Sequence, residues 1–461
     1  MCPTLMAPAD WAQLEFSSAD LRDVRRTRRL VDVAAAIAAK PNGALPRALP
    51  DWAELKGAYR LFSSEEVTHE RILGPHYERT VKACGEPGEY LIVEDTTTLD
   101  FTTHRAVQGM GPVGDEWSLG LLAHSTLALR VEAWDLEQQP EVTVMGLIDQ
   151  HCWVRPPERL NKKKSRRLIL NRPRESQRWA QILETQHAPD GAHWIFVADR
   201  ECDIYEAFAR CNEACVDFII RAAHPRALLE EDQNVFTAVQ EAPVLGSFEI
   251  GLRTRGEVIA RTAKLEVRST SVTLRGSWRP GGKTPPFELN VVLVEQTGAP
   301  GPKPMRWVLL TSLPCHSFAE VRRIVTRYTR RWVIEEYHKA LKTGAQIEQS
   351  QLATAQRVKA VLAISAVVAV RLLNTKLLAR RTPDAPVDPE QFGPEITAIL
   401  TARFGKPANG WTLKGILIAI ARMGGFLARR HDGDPGWITI WRGWQDLQIM
   451  AEGIRLLSKC G

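Results

Sequence analysis

The segment from Tyr328 to Lys342 gathers a phenol, a carboxylate and two cations at a spacing that could do chemistry. Wound as one α-helix at about 100° per residue, Arg331, Glu335 and Lys342 fall at roughly 300°, 340° and 320° from Tyr328, an arc of about 60°. Val333, Ile334, Tyr337, Ala340 and Leu341 take the opposite side. One face therefore suits a core, while the other sets a carboxylate among cations. Arg331 and Glu335, four residues apart, would also suit an ordinary solvated helix face.

Two aspartates upstream weigh against the ordinary reading. The apolar run Tyr90, Leu91, Ile92, Val93 gives way to Glu94 and Asp95, and the run Trp194, Ile195, Phe196, Val197, Ala198 ends on Asp199. Each run reads as a buried strand stopping at a polar edge, so the two aspartates are expected at the rim of one sheet, where a helix could present Glu335 to them. Three converging carboxylates repel one another unless a cation neutralises them, and hard oxygen ligands select Mg²⁺ or Mn²⁺. A pair of such ions would activate a water or a 3′-hydroxyl and stabilise the leaving oxygen of a phosphodiester. Tyr328, Arg331 and Lys342 would then grip phosphates. His338, beside the arc, reads as support for it or as a phosphate contact, because the carboxylates already supply hard ligands.

The rest of the chain must position these groups. Residues 17–39 read as a helix capped by Ser17 and Asp20, with Arg22, Arg25, Arg26, Arg28 and Arg29 on its exposed part. A second short helix, about Trp52 to Phe62, adds Lys56 and Arg60. Two basic helices before the first strand suit a DNA-reading head, and equally a solvated surface. Strands are expected at 124–134, 141–150 and 218–221, with helical stretches around Trp179 to Leu183 and at 203–213, which together make an α/β core with a mixed sheet. The stretch of about 225–312 is rich in β-formers and turn breakers and reads as an inserted β subdomain. Helical periodicity returns at 317–378. Pro383, Pro386, Pro389 and Pro394 then mark a linker, and the last helix carries the stripe Trp437, Trp441, Trp444, Leu447, Ala451, Ile454. Such a stripe normally packs on its own domain, and at the end of a chain it also fits a dimer contact.

Bulk properties narrow the class. A chain of 461 residues with 44% hydrophobic content suits two or three domains. No run approaches the roughly 18 uninterrupted apolar residues of a membrane helix, and the N-terminus lacks the order of a secretory signal, so a cytoplasmic protein with no membrane partner is expected. Eight cysteines without a C-x-x-C pair argue against zinc or a disulfide framework. A formal charge of +6 is a mild bias towards nucleic acid. Gly109, Gly111 and Gly114 satisfy G-x-G-x-x-G, but Pro112 interrupts them and no βαβ unit surrounds them, which excludes a dinucleotide site.

With these residues in view, the segment resembles the Y-x₂-R-x₃-E-x₆-K signature of the insertion-sequence-4 family of DDE transposases, met by Tyr328, Arg331, Glu335 and Lys342. The surroundings of Asp95 and Asp199 resemble that family's first and second catalytic blocks. The likeness is strongest to the transposon-five branch and spans nearly the whole chain, including residues Arg25 to Leu30, Gly57 to Arg60 and Ala419 to Phe426. It implies an RNase H-like core interrupted by a β insertion. The implied organisation is a helical DNA-binding domain at 1–68, a catalytic domain at 69–370 and a helical dimerisation domain at 371–461. It also implies a bacterial, nucleoid-associated enzyme that works as a homodimer with two Mg²⁺ ions, for which Mn²⁺ substitutes. Its partners would be the terminal inverted repeats of a transposon and target double-stranded DNA. The ends would be nicked, closed as hairpins, reopened and joined to the target. Trp307 stands where the family stacks a flipped base. Arg221 matches a phosphate contact, and Arg25, Arg26, Arg28 and Arg60 fall in the region that reads the repeats. Arg159, Lys162, Lys163, Lys164, Arg166, Arg167, Arg172 and Arg174 make the stretch 159–178 more basic than in the transposon-five branch, which suits a DNA-tracking patch and equally a disordered cationic loop. A nuclease with the same core that never rejoins DNA, or a DNA-binding descendant without activity, stands as the alternative.

Overall fold

A computed structural model of the chain describes residues 6–41, 44–114, 117–132, 141–156, 175–230, 232–252, 261–279, 282–298, 304–388, 394–430 and 432–460. Apolar runs that must be covered on both faces build its centre. Strands β1 (Gly88–Asp100), β2 (Gly111–Pro112), β3 (Leu119–Val131), β4 (Val142–Trp153), β5 (Ala192–Ala198) and β6 (Asp217–Arg221) form the first part of a sheet, and β7 (Val244–Leu252), β8 (Arg261–Leu274), β11 (Phe287–Thr297) and β12 (Arg306–Thr311) the second. A separate two-stranded hairpin joins β9 (Trp278–Arg279) to β10 (Gly282–Lys283).

The main sheet runs β2-β3-β1-β5-β6-β12-β11-β8-β7, with β4 also on β3. Pairing is parallel only at β1–β5 and β5–β6, and antiparallel elsewhere, so the mixed sheet expected from the sequence is observed. The β-rich stretch after β6 is not a separate body: β12 pairs with β6, and β11, β8 and β7 continue the same sheet outward. The glycine motif at 109–114 lies in the β2 excursion between β1 and β3, where the described residues form no helix.

Side-chain alternation along β1 and β5 divides the core in two. Leu91, Val93, Ile195 and Val197 face the N-terminal helices, the helix Ala355–Arg381 and the helices near residue 330, while Tyr90, Ile92, Trp194 and Phe196 face Trp179, Phe208 and Val239. The helix Ala355–Arg381 is long and apolar enough to cross a membrane, although Lys359 and Ser365 interrupt its run, and most of it is buried inside the fold. Burial on nearly all sides explains why it lacks a polar stripe.

Several expected elements shift. The first helix is Pro8–Phe16, which the sequence pattern did not reveal, and the next is Val24–Ala39 rather than 17–39. Asp23, not Ser17 or Asp20, caps it by accepting from the Arg25 amide, and Arg22 just before it sits at φ 61°, which a helix cannot contain. Around Trp179 there is no α-helix but two 3₁₀ turns, Glu175–Arg178 and Gln181–Glu184, parted by Ala180 at φ 57°. The Ala180 amide donates to the buried Glu94 carboxylate at 3.0 Å and so leaves any helical ladder. Of the basic stretch, Arg159, Lys162, Lys163, Lys164, Arg166, Arg167, Arg172 and Arg174 lie outside the described residues; Arg178 stacks 3.8 Å over Trp153. Cys84, Cys152, Cys202, Cys211, Cys215 and Cys315 are free thiols.

The C-terminal helices Pro394–Phe404, Leu413–Met423 and Trp437–Cys460 enclose a core of their own around Leu400, Ile420 and Leu447. Most of the tryptophan stripe turns inward: Trp437 and Trp441 join the main core, and Leu447 and Ala451 the C-terminal one, while Ile454 at its end is exposed. What the last helix shows to solvent is a second apolar set, Ile438, Ile449, Met450, Leu456 and Leu457. Helices Leu413–Met423 and Trp437–Cys460 cross where Gly424 meets Gly443; a Cβ on Gly443 would stand 1.7 Å from the Ile420 carbonyl oxygen. Gly443→Ala should therefore push the helices apart and destabilise this region by about 2 kcal/mol or more, read as a lower thermal midpoint. A midpoint equal to that of the unsubstituted protein would mean that the crossing is not so tight.

Candidate nucleic-acid cutting site

Register brings the two aspartates together. In the parallel pair β1–β5, Val93 lies opposite Val197, and the same offset carried two residues on sets Asp95 level with Asp199. β5 ends at Ala198, but β1 does not stop at Asp95; it continues to Asp100 because β3 still pairs with it, Asp95 opposite Ser125. Asp95 shares the face of Leu91 and Val93, on which the helix Phe318–Arg330 and its continuation Trp332–Lys339 rest. Asp199 caps the 3₁₀ turn Arg200–Cys202, accepting from the Glu201 amide at 2.9 Å. Asp203 anchors the far end of that turn. It is buried, and accepts from the amides of Ala223 and His224 and from Arg226.

The glutamate arrives on a helix that is less regular than the sequence suggests. Ser317 and Glu320 cap Phe318–Arg330 with a reciprocal box, Arg331 marks a break, and Trp332–Lys339 passes into a π-turn, Ala340–Gly344. The Ala345 amide reaches back to the Ala340 carbonyl at 2.7 Å, five residues away. That wider turn changes the phase of Lys342 relative to the single-helix reading. Lys342 points to Glu348 at 3.7 Å, and Glu348 accepts from the Asp100 amide at 2.9 Å, tying the turn to the end of β1.

Arg331 occupies the middle of the group. It donates to Glu335 Oε1 at 2.8 Å, stands 3.7 Å from Asp95 Oδ2, and is reached electrostatically by Asp199 and Tyr328. Burial works against its charge, but these neighbours outweigh burial and raise its affinity for the proton. Burial pushes the Asp95 carboxyl up to about 6; Arg331 opposes this, while Asp199 and Glu335 add to it. Among the described residues, no three acidic, histidine or cysteine side chains close into a ready-made metal cage. The donor set still suits a divalent cation, because the one guanidinium does not offset the burial and acidic neighbours that hold the Asp95 carboxyl above its ordinary value.

The other expected residues divide into two groups. Trp307 packs edge-on to Tyr328 with ring centres 5.3 Å apart, and Arg221, which donates to the Arg306 carbonyl at 3.2 Å, feels both Tyr328 and Arg331. His338 is buried with Nδ1 3.9 Å from Asp95 Oδ2, and burial lowers its pKa to about 3, so it is neutral there. Arg25, Arg26, Arg28 and Arg60 belong to the N-terminal helices instead. Arg25, Arg28 and Arg60 are exposed, whereas Arg26 donates to the Leu21 carbonyl at 3.1 Å. Sequence reasoning missed Glu94, which is fully buried and accepts from Thr126, Ala180 and His124. It also missed Gln150, whose amide donates to Ser125 at 2.9 Å and Tyr337 at 3.0 Å. The glutamate next to Asp95 was in plain view; nothing local marks Gln150.

The Asp95 shift carries a sign that can be tested. A folded-state pKa of about 6 against 3.8 means that ionising Asp95 costs stability, absent below the ordinary value and fully felt above about 6. In protein stripped of divalent ions, Asp95→Asn should melt higher than the parent at about pH 7.5, with the gap closing as pH falls below 4. A gap independent of pH, or a lower melting point throughout, would contradict this electrostatic account.

Comparison with known families agrees with this geometry. Residues 8–67 match the family described as transposase DNA-binding, 170–371 the transposase DDE domain, and 367–460 the transposase Tn5 dimerisation domain. The DDE match contains Asp199 and Glu335; Asp95 lies before it, on the strand that runs parallel to β5. Three matches of one kind, in the order DNA binding, catalysis and dimerisation, on a mixed sheet with flanking helices, place this chain in the insertion-sequence-4 family of DDE transposases, among the Tn5-like cut-and-paste enzymes that act on DNA as homodimers.

Proposed function

We propose that Asp95, Asp199 and Glu335 are the catalytic carboxylates of this transposase. The observation that carries the reading is the β1–β5 register that levels the aspartates, together with the Arg331 side chain shared by Asp95 and Glu335. DDE domains use divalent metals, and here these three side chains would hold two Mg²⁺ ions, or Mn²⁺ in their place. When bound, the ions would activate the attacking oxygen and stabilise the leaving one. Arg331 would be drawn from the carboxylates towards the scissile phosphate, with Tyr328, Arg221 and Lys342 fixing the neighbouring phosphates. His338, neutral, would brace Asp95.

The reaction sequence is then a series of in-line displacements at phosphorus. Water cleaves one strand at the transposon end and frees its 3′-hydroxyl. That hydroxyl attacks the opposite strand, expelling the flanking DNA and closing a hairpin. A second water reopens the hairpin, and the 3′-hydroxyl finally attacks target DNA. Trp307, partly buried against Tyr328, would stack on the base turned out of the hairpin. The exposed arginines Arg25, Arg28 and Arg60, with Arg26, would contact the terminal repeats, and the outward set Ile449, Met450, Leu456 and Leu457 would form the chain-to-chain contact. We assign 1–68 to DNA binding, 69–370 to catalysis and 371–461 to dimerisation, although position 370 falls inside the helix Ala355–Arg381. The working compartment is the bacterial cytoplasm, on the nucleoid.

Asp95→Ala, Asp199→Ala and Glu335→Ala should each lower cleavage of a cognate end by roughly 10³-fold or more while leaving end binding within about twofold. Substantial cutting by any one of the three, in Mg²⁺ with the inverted repeats that flank the gene, would remove that residue from the set; cutting without joined product would favour a plain nuclease. Trp307→Ala should slow hairpin closure roughly tenfold, the worth of one base stack, with first-strand nicking nearly unchanged. Equal slowing of both steps would assign Trp307 to the core instead.

A further inference from the structure

We propose that Trp437 and Trp441 of the dimerisation region are positioning residues for the catalytic helix, acting through Glu336 and Gly344 to set the direction of Glu335 and Lys342. The inference rests on the reading of Glu335 and Lys342 as site residues. Glu336 follows Glu335 directly and therefore points about 100° away around the helix, off the carboxylate group. Its Oε2 accepts from the Trp437 indole N–H at 3.2 Å and from Lys376 Nζ at 3.0 Å, and its Oε1 from Lys339 Nζ at 3.2 Å. Lys376, in the long core helix, lies 4.4 Å over the Trp437 ring.

One turn further along the last helix, Trp441 stacks on Trp437 with ring centres 6.3 Å apart and planes 10° from parallel. Its indole covers Gly344, where an added Cβ would come within 2.9 Å of the ring nitrogen. Gly344 closes the π-turn that carries Lys342. The C-terminal helix thus touches the catalytic segment at two points along its length, once through a charged hydrogen bond and once through a close ring-to-backbone fit. An apolar seat alone permits a helix to roll; a carboxylate held by an indole N–H and an ammonium group from two other helices does not. The helix that belongs to the dimerisation region therefore also fixes the rotation of the helix that bears Glu335, which couples chain pairing to the cutting geometry.

The full-length protein and a cognate end duplex test this. Trp437→Phe keeps the ring over Lys376 but removes the donor to Glu336, and Gly344→Ala forces Trp441 off the π-turn. For both variants, dimerisation by sedimentation and end binding by gel shift should stay within about twofold, while amides at 333–344 exchange at least about threefold faster. Single-turnover nicking should fall roughly tenfold to a hundredfold, with no change in the DNA concentration at half-saturation. The double variant Trp437→Phe with Glu336→Gln should nick no more slowly than Glu336→Gln alone, as expected if the two act through one bond. Normal exchange and nicking in both variants would overturn the proposal, as would a loss of nicking no greater than the loss of dimer. Should Trp437→Phe not accumulate as folded protein, Glu336→Gln takes its place: faster exchange with slowed nicking supports the coupling, and normal values of both overturn it. Glu335→Ala is run alongside: if it still nicks, the site reading fails, and if it is inactive while the docking variants are normal, only the positioning role fails.

Discussion

Like charges held close together are the constraint around which this chain is organised. Asp199 and Glu335 both lie within electrostatic reach of Asp95, and their repulsion adds to the burial that raises the Asp95 carboxyl to about 6. Arg331 offsets part of that charge at the cost of its own desolvation. Removing one buried partner of such a group leaves the others uncompensated, so the side chains have to be fixed as a set rather than one at a time. A site that is frustrated without a divalent ion is also one that gains most from binding it, and from the phosphates that come with the substrate.

Backbone geometry does the fixing, because the side chains alone would move apart. A parallel pair has one register wherever both faces are buried, since a slip of one residue would turn Val93 and Val197 out of one core and Ile92 and Phe196 out of the other. The Asp95–Asp199 pairing thus inherits its position from the two cores. Asp203, gripping the turn after β6, keeps the Asp199 loop from fraying where the strand ends. Glu348 serves the end of β1 in the same way while accepting the charge of Lys342. The β7, β8, β11 and β12 strands, by extending the one sheet, hold Trp307 against Tyr328 with little freedom to swing.

Much of this was legible in the residues. Apolar runs ending in an aspartate identified both strands, and the spacing of Tyr328, Arg331 and Glu335 identified the helix. The length of β1 was not legible, because the residues after Asp95 remain in the sheet through pairing with β3, which no local pattern announces. Nor was the π-turn, since a helical wheel assumes the ladder it would need to detect. The last helix carries apolar residues on two sides, and its sequence alone could not decide which side meets its own chain; the indole of Trp437 was drawn inward by Glu336, far away in the sequence. Ser17 and Asp20 offered as good a cap as Asp23, until the helix Pro8–Phe16 claimed the preceding residues. For β1 and for Trp437 the deciding partner was remote in the sequence.

Polar anchors recur beneath the helix that bears Glu335 as well. Tyr337, two residues past Glu335, is wholly buried, and its hydroxyl accepts from Gln150 on β4, which also donates to Ser125 on β3 and meets His69 at 3.1 Å. Burying these groups gains little stability over an apolar packing of the same volume, and leaving any one unpaired costs about 1–3 kcal/mol. What the arrangement supplies is uniqueness: aliphatic packing tolerates a shift by a fraction of a turn, whereas a hydroxyl bonded to an amide on the neighbouring sheet does not. Ser125 is the residue opposite Asp95 across the strand pair. The same short network therefore measures the helix that carries the glutamate against the strand that carries the first aspartate, and the placing of two carboxylates far apart in the sequence comes to depend on an amide side chain that touches neither.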